Sequence, residues 1–224
     1  MSKYQVLGTR EPRIDAAAKA TGRAVYTDDI QLPGMLYGAI LHSPVAHALI
    51  RSIDVSKARA HPGVRAVLTA ADVPDTRFGV SPARYDETVF AAEKVLYMGD
   101  EVAAVAAVDR ETAQEALALI EVDYEPLPVV LDGRVALEDG ADQIHPAYPG
   151  NVSARVEQEF GDVDGARKQA TVVVSGVLEN EMQDGAFLEP QCAVAEIDRR
   201  GYLTLTSSTQ SVHYVQRTVA MVLG

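Results

Sequence analysis

The 224-residue sequence has a single cysteine, Cys192, and no tryptophan. One cysteine excludes an internal disulfide framework and an all-cysteine zinc site. No run of about 18 apolar residues occurs, so the sequence offers no membrane-spanning helix. Residues 1–15, MSKYQVLGTREPRID, contain no apolar segment of the secretory type. With the lone thiol, this sets the expectation of a cytoplasmic protein. Positive charge is also scarce: 20 Lys and Arg stand against 32 Asp and Glu, a net charge of −12. A nucleic-acid surface needs clustered Lys and Arg, so no such partner is expected. Neither common glycine-rich phosphate loop is present. There is no GxSxG elbow, so the serine-hydrolase signature is missing too.

What is present suffices for a core, with 47% apolar residues. The clearest pattern lies at 98–131. Residues 102–108 form an unbroken apolar run, expected to be a strand buried on both faces. Asp109 offers a side-chain oxygen to cap a helix, and Glu111 puts negative charge in its first turn. Ala113, Ala116, Leu117 and Ile120 follow at helical spacing. Residues 121–125 then alternate. Val122 and Tyr124 point to a core, and Glu121, Asp123 and Glu125 point to water. Pro126 and Pro128 end the pairing. The unit reads strand, helix, strand, with a connection long enough for a parallel pair.

Elsewhere the signals are shorter. Residues 1–34 read as an extended surface arm. Strands are expected at 35–41, 49–55 and 64–68. Ser56 is expected to cap a short helix that ends before Pro62-Gly63, and Thr69 to start a helical turn that stops at Pro74. Residues 75–93 read as loop and 132–152 as a connector, with one helical turn at 135–139. Strands are expected at 154–160 and 172–182, around a short helix after Asp162 that Gly165 weakens. Residues 192–197 and 202–207 make a hairpin around Asp198-Arg199-Arg200-Gly201. Residues 212–223 read as a helix whose apolar face, Val215, Val219, Val222 and Leu223, needs burial. A compact α/β domain is thus followed by a β-rich second domain that looks incomplete.

Candidate sites are few. His42 and His47 are five apart with Pro44 between them, a spacing that favours turn hydrogen bonding over metal binding. Cys192 is expected to be a buried small hydrophobe in an alternating strand. Glu189, in GAFLEP, must pair or face a cavity, and a capping or salt-bridged role is favoured. Residues 207–210, Ser-Ser-Thr-Gln, form a polar strand end. Such an end often lines a crevice, and a carboxamide there orients an oxygen without titrating. Plain helix capping by Ser208, Thr209 or Ser211 is the alternative, and spacing does not choose between them.

Several segments together resemble one family. RIDAAAKATGRAVYTDDI, LYGAILHSPVAHALIRSIDVSKARAHPGVRAVLTAADVP and the 98–132 stretch are similar to the a/b hammerhead domain of the molybdenum-binding large chain in the xanthine dehydrogenase and aldehyde oxidase family. HPAYPGNV, EFGDVDGA, FLEPQCAVAEID and LTLTSSTQSVHYVQRTVAMVLG resemble the first molybdopterin-binding domain and its join. Residues 78–109 resemble the 4-hydroxybenzoyl-CoA reductase branch.

The resemblance implies an α+β chain. It would comprise an arm (1–19), a hammerhead domain (20–131), a connector (132–152) and an incomplete β-rich molybdopterin-binding domain (153–224). It implies an oxidoreductase acting on an aromatic, heterocyclic or aldehyde substrate through a molybdenum-pterin cofactor. Electrons would pass to [2Fe-2S] clusters and FAD on an iron-sulfur subunit and an FAD subunit. The Gln of SSTQ is the family's hydrogen-bond partner to a molybdenum oxo group, so Gln210 is the implied cofactor-binding residue. No metal ligand and no catalytic residue is implied in this chain. The family's GGGFGGK-type loop and its general-base Glu are absent from the sequence, and Glu189 belongs to a different segment. The remaining part of the molybdenum subunit is therefore an expected partner, and activity of this chain alone is not expected. The competing expectations are a non-catalytic docking module or a truncated fragment.

Overall fold

The structure, a computed structural model, describes residues 7–8, 10–80 and 85–224. The elements begin with α1 (Ala16–Ala20), β1 (Tyr37–His42), β2 (Ala48–Asp54), α2 (Ser56–Ala60) and β3 (Val64–Thr69). They continue with β4 (Lys94–Val95), β5 (Glu101–Ala107), α3 (Arg110–Leu117) and β6 (Glu121–Pro126). The last are α4 (Val163–Gln169), β7 (Ala193–Ile197), β8 (Leu203–Ser207) and α5 (Val212–Leu223). They fall into two compact units. One is Gly34–Asn180 with His213–Gly224; the other is Met1–Pro33 with Glu181–Val212.

The larger unit holds two three-stranded sheets, ordered β1-β5-β3 and β4-β2-β6. Every pairing is antiparallel. The parallel pair expected from 98–131 is not formed, because β5 and β6 lie in different sheets. The two sequence patterns explain the separation. The unbroken apolar run of β5 suits a central strand, and β5 sits between two neighbours. The alternating β6 suits an edge with one wet face. It places Val122 opposite Ile53 and Tyr124 opposite Ile50. Glu121 and Glu125, on its outer face, pair with Lys57 and Arg51.

Helix α3 covers one face of the first sheet. Asp109 Oδ1 accepts the Thr112 amide at 2.7 Å and starts the helix. Ala113, Ala116 and Leu117 then pack on Ala39, Ala103 and Val105, all buried. Small side chains on both partners let helix and sheet approach closely. On the other face Ala104 and Ala106 are only half-buried, so the expectation of burial on both faces holds in part. Val102 belongs to a second core with Ala48, Ala91 and Val95.

Two further expectations are corrected. Ser56 does not cap α2; the Asp54 carboxylate accepts the Ser56 amide at 2.8 Å instead. Strand β4 begins directly after the 75–93 loop, at Lys94. Residues 154–160 and 172–182 are not strands. A strand needs a ladder partner, and neither segment has one among the described residues. Their side chains stay in solvent, Leu178 at 96% and Met182 at 99% exposure. The helix after Asp162 does form as α4. Gly165 gives up helix propensity there but makes room for the cap. Its amide donates to Asp162 Oδ1 at 2.8 Å, and a Cβ would collide with that carboxylate.

The smaller unit is built on the β7-β8 hairpin. Gly201 takes φ +84 at its turn, and Asp198 Oδ1 accepts the Arg200 and Tyr202 amides at 2.8 and 2.9 Å. A 3-10 turn at Thr27–Asp29 packs against β7. Residues up to Pro33 group with Glu181–Val212 in this unit.

Candidate functional site

Strand β8 brings Ser207 to the end of the hairpin, and α5 begins at Val212. Gln210 lies in the bend between them and is exposed. Its carboxamide makes no hydrogen bond with a described residue, so both its donor and acceptor are free. The residues around it are fixed. Ser208 Oγ accepts from the Cys192 amide at 3.0 Å and donates to the Cys192 carbonyl at 3.3 Å. The Ser208 amide donates to the same carbonyl at 3.1 Å. Thr209 Oγ1 accepts the Ser211 amide at 3.0 Å. Ser208 therefore ties two strands, and Thr209 takes a local turn bond. Ser208 and Thr209 are committed to structure, whereas the Gln210 carboxamide, like the Ser207 hydroxyl, is left over.

Glu189 is paired. Its Oε1 accepts from both the amide and the hydroxyl of Thr27, each at 3.3 Å. It caps a turn far away in sequence, which agrees with the capping role favoured for it. Cys192 is half-buried, and its Sγ lies 3.9 Å from Asp28 Oδ1. Thr27 is the participant that sequence reasoning missed. It lies in a stretch expected to be an extended arm, and no local pattern names a partner 162 residues away.

The histidines serve the larger unit. His42 Nδ1 pairs with the Gly99 carbonyl at 2.7 Å, and His47 Nδ1 with the Pro128 carbonyl at 2.5 Å. A carbonyl only accepts, so both Nδ1 atoms carry the proton. Among the described residues no group of three His, Cys, Asp or Glu side chains could hold a metal ion. A cavity of about 230 Å³ is lined by Arg59, Val64, Arg65, Ala66 and Val67, none of them near residue 210 in sequence.

Two domain families match the chain. "Aldehyde oxidase and xanthine dehydrogenase, a/b hammerhead domain" covers residues 21–128, and "Molybdopterin cofactor-binding domain" covers 144–224. Residues 21–128 belong to the first of these domain families and residues 144–224 to the second. The nicotinate dehydrogenase large molybdopterin subunit of Eubacterium barkeri is 38% identical over 99% of this chain. The carbon monoxide dehydrogenase large chain of Afipia carboxidovorans is 39% identical over 99% of it. The chain spans 51% of the first relative and 29% of the second. Among solved structures, aldehyde oxidoreductase from Desulfovibrio gigas superposes with a TM-score of 0.84 at 32% identity. That match covers 95% of this chain and 25% of the other. The hammerhead and molybdopterin-binding organisation expected from sequence is the one these matches carry.

Gln210 falls within the molybdopterin-binding match. A free, neutral carboxamide fits a cofactor that brings its own metal ligands. It orients an oxygen through a hydrogen bond and adds no charge to the metal.

Proposed function

We propose that this chain is the N-terminal portion of the molybdenum-binding large subunit of an oxidoreductase acting on an aromatic, heterocyclic or aldehyde substrate. The observation that carries the proposal is the free carboxamide of Gln210, held between fixed neighbours inside the molybdopterin-binding match. When bound, the molybdenum-pterin cofactor supplies two-electron redox chemistry. The role of this chain is to present the Gln210 amide as a hydrogen-bond donor to that cofactor. The remaining part of the molybdenum subunit completes the site. Iron-sulfur and FAD subunits receive the electrons. Residues 78–109 support the 4-hydroxybenzoyl-CoA reductase branch as the first substrate class to assay. The free Cys192 thiol supports a cytoplasmic setting.

The test is Gln210→Ala in the complete complex. Loss of one positioned donor is expected to slow turnover on the order of a hundredfold and to alter the molybdenum electron paramagnetic resonance signal. Folding should be unaffected, since the side chain packs little apolar surface. Full activity with an unchanged signal would leave Ser207–Gln210 as nothing more than a strand end and a turn.

A further inference from the structure

We propose that the turn at Thr27–Asp29 is a positioning device for Gln210, acting through Glu189, Cys192 and Ser208. The proposal rests on Gln210 being a cofactor contact. Thr27 is buried, with 5% of its surface exposed. A buried amide and hydroxyl must find an acceptor. Both find Glu189 Oε1 at 3.3 Å. One carboxylate oxygen thus serves both donors. The next residue makes a second attachment, as the Cys192 thiol points to Asp28 Oδ1 at 3.9 Å. The turn thus holds the 189–192 segment at two places.

That hold continues to the far strand. The Cys192 amide donates to Ser208 Oγ, and the Cys192 carbonyl accepts from both the amide and the hydroxyl of Ser208. Ser208 stands two residues before Gln210. On the other side the Ser211 amide is bound to Thr209 Oγ1. Gln210 therefore follows backbone anchored at Ser208 and sits inside a local turn, while its carboxamide stays free. A donor placed to within a fraction of an ångström needs this kind of support behind it. Thr27, Glu189, Cys192 and Ser208 do not bond the Gln210 side chain. They are positioning residues, and Thr27 and Asp28 tie the turn to the 189–192 segment.

The test has two arms. In the 224-residue chain, hydrogen exchange is followed at the Ser208 and Ser211 amides. Glu189→Ala is expected to speed exchange at Ser208 at least about tenfold. The cross-strand amides of β7 and β8 should keep wild-type rates, which shows that the hairpin's own unit is intact. Thr27→Val removes only the hydroxyl and should give a smaller acceleration, and Thr27→Ser should restore the wild-type rate. In the loaded complex, Glu189→Ala should shift the molybdenum paramagnetic signal and lower kcat while KM stays unchanged. Gln210→Ala is run beside it. If Gln210→Ala alters the signal but neither Glu189→Ala nor Thr27→Val changes exchange or signal, the device is overturned and the Gln210 assignment stands. If Gln210→Ala leaves the signal as in the wild type, the cofactor contact falls and the proposal falls with it.

Discussion

The Asp109 carboxylate accepts the amide of Thr112 at 2.7 Å, at the point where β5 ends and α3 begins. That hydrogen bond holds the Asp109 carboxyl below the usual aspartate range. It also fixes where the helix starts, and so which residues face the core. Ala113, Ala116 and Leu117 reach the sheet only from this start. Asp109→Ala should cost about 1 kcal/mol, the usual worth of a helix cap. Asp109→Asn should cost much less, because the amide oxygen still accepts. Urea midpoints of the two variants check this. Equal midpoints for both would mean that the cap does not set the helix.

Gly63 should be harder to replace. It takes φ +90, and a Cβ there would stand 3.0 Å from Val108 Cγ2 and 3.1 Å from Thr112 Cγ2. Its carbonyl also accepts the Val108 amide at 3.0 Å, so the backbone cannot easily swing away. Gly63→Ala should lose about 1–3 kcal/mol through left-handed strain and crowding. Gly34 shares the positive φ, at +72, but nothing lies within 4 Å of its Cβ position. Gly34→Ala should therefore cost less, the strain without the crowding. Finding the two variants equally destabilised would remove the steric half of the explanation.

What the sequence made legible was local. The cap and buried face of α3, the turn at Gly201 and the bounds of α5 all rest on patterns within about a dozen residues. Partner choice was not legible. The 98–131 unit permits a parallel pair, and only the other strands decide against it. β1 and β3 take both edges of β5, and β2 takes β6. The same limit explains 172–182, where β-forming residues express a preference that needs a partner to be realised. It also explains Thr27 and Glu189, whose bond joins opposite ends of the chain. Gln210 was singled out twice, as the end of a polar strand and by its resemblance to the SSTQ motif. Its free carboxamide emerged only once Ser208 and Thr209 were seen to be occupied.

Asp100 gives a pH-dependent prediction. Its Oδ2 accepts the Leu96 amide at 2.9 Å, and the side chain is half-buried. Burial raises its pKa above the usual 3.8, opposed by the Leu96 hydrogen bond and aided by the charge of Glu101. A raised carboxyl pKa means that the native state binds this proton more tightly than the unfolded chain does. Its contribution to stability is therefore best at low pH and is lost as pH rises from about 4 through the folded value. Asp100→Asn keeps an acceptor for Leu96 and removes the buried charge. It should melt at a higher temperature than wild type at pH 7, and the difference should shrink toward pH 3.5. Melting curves at the two pH values test the sign. A gap that stays constant or widens on acidification would show that charge burial is not the cause.

The last prediction concerns residues 172–182. Val172, Val174 and Leu178 fall on one side of an extended chain, and their exposures are 75%, 87% and 96%. No backbone amide in this segment bonds a described residue. Valine-rich stretches of this kind pair readily with another strand and are a hazard when left open. Within the 224-residue chain these amides should exchange at nearly unprotected rates, while those of β5 are slow. In a complete molybdenum subunit the same amides should become at least about a hundredfold slower as the segment gains a ladder partner. Val174→Pro separates the two states. Proline removes an amide donor, which costs nothing where that donor is unpaired. The stability of the 224-residue chain should therefore change by no more than about 0.5 kcal/mol, whereas assembly with the rest of the subunit should fail. If 172–182 were already as protected as β5 in the chain alone, the segment would have its partner at hand and the second domain would not be waiting for one.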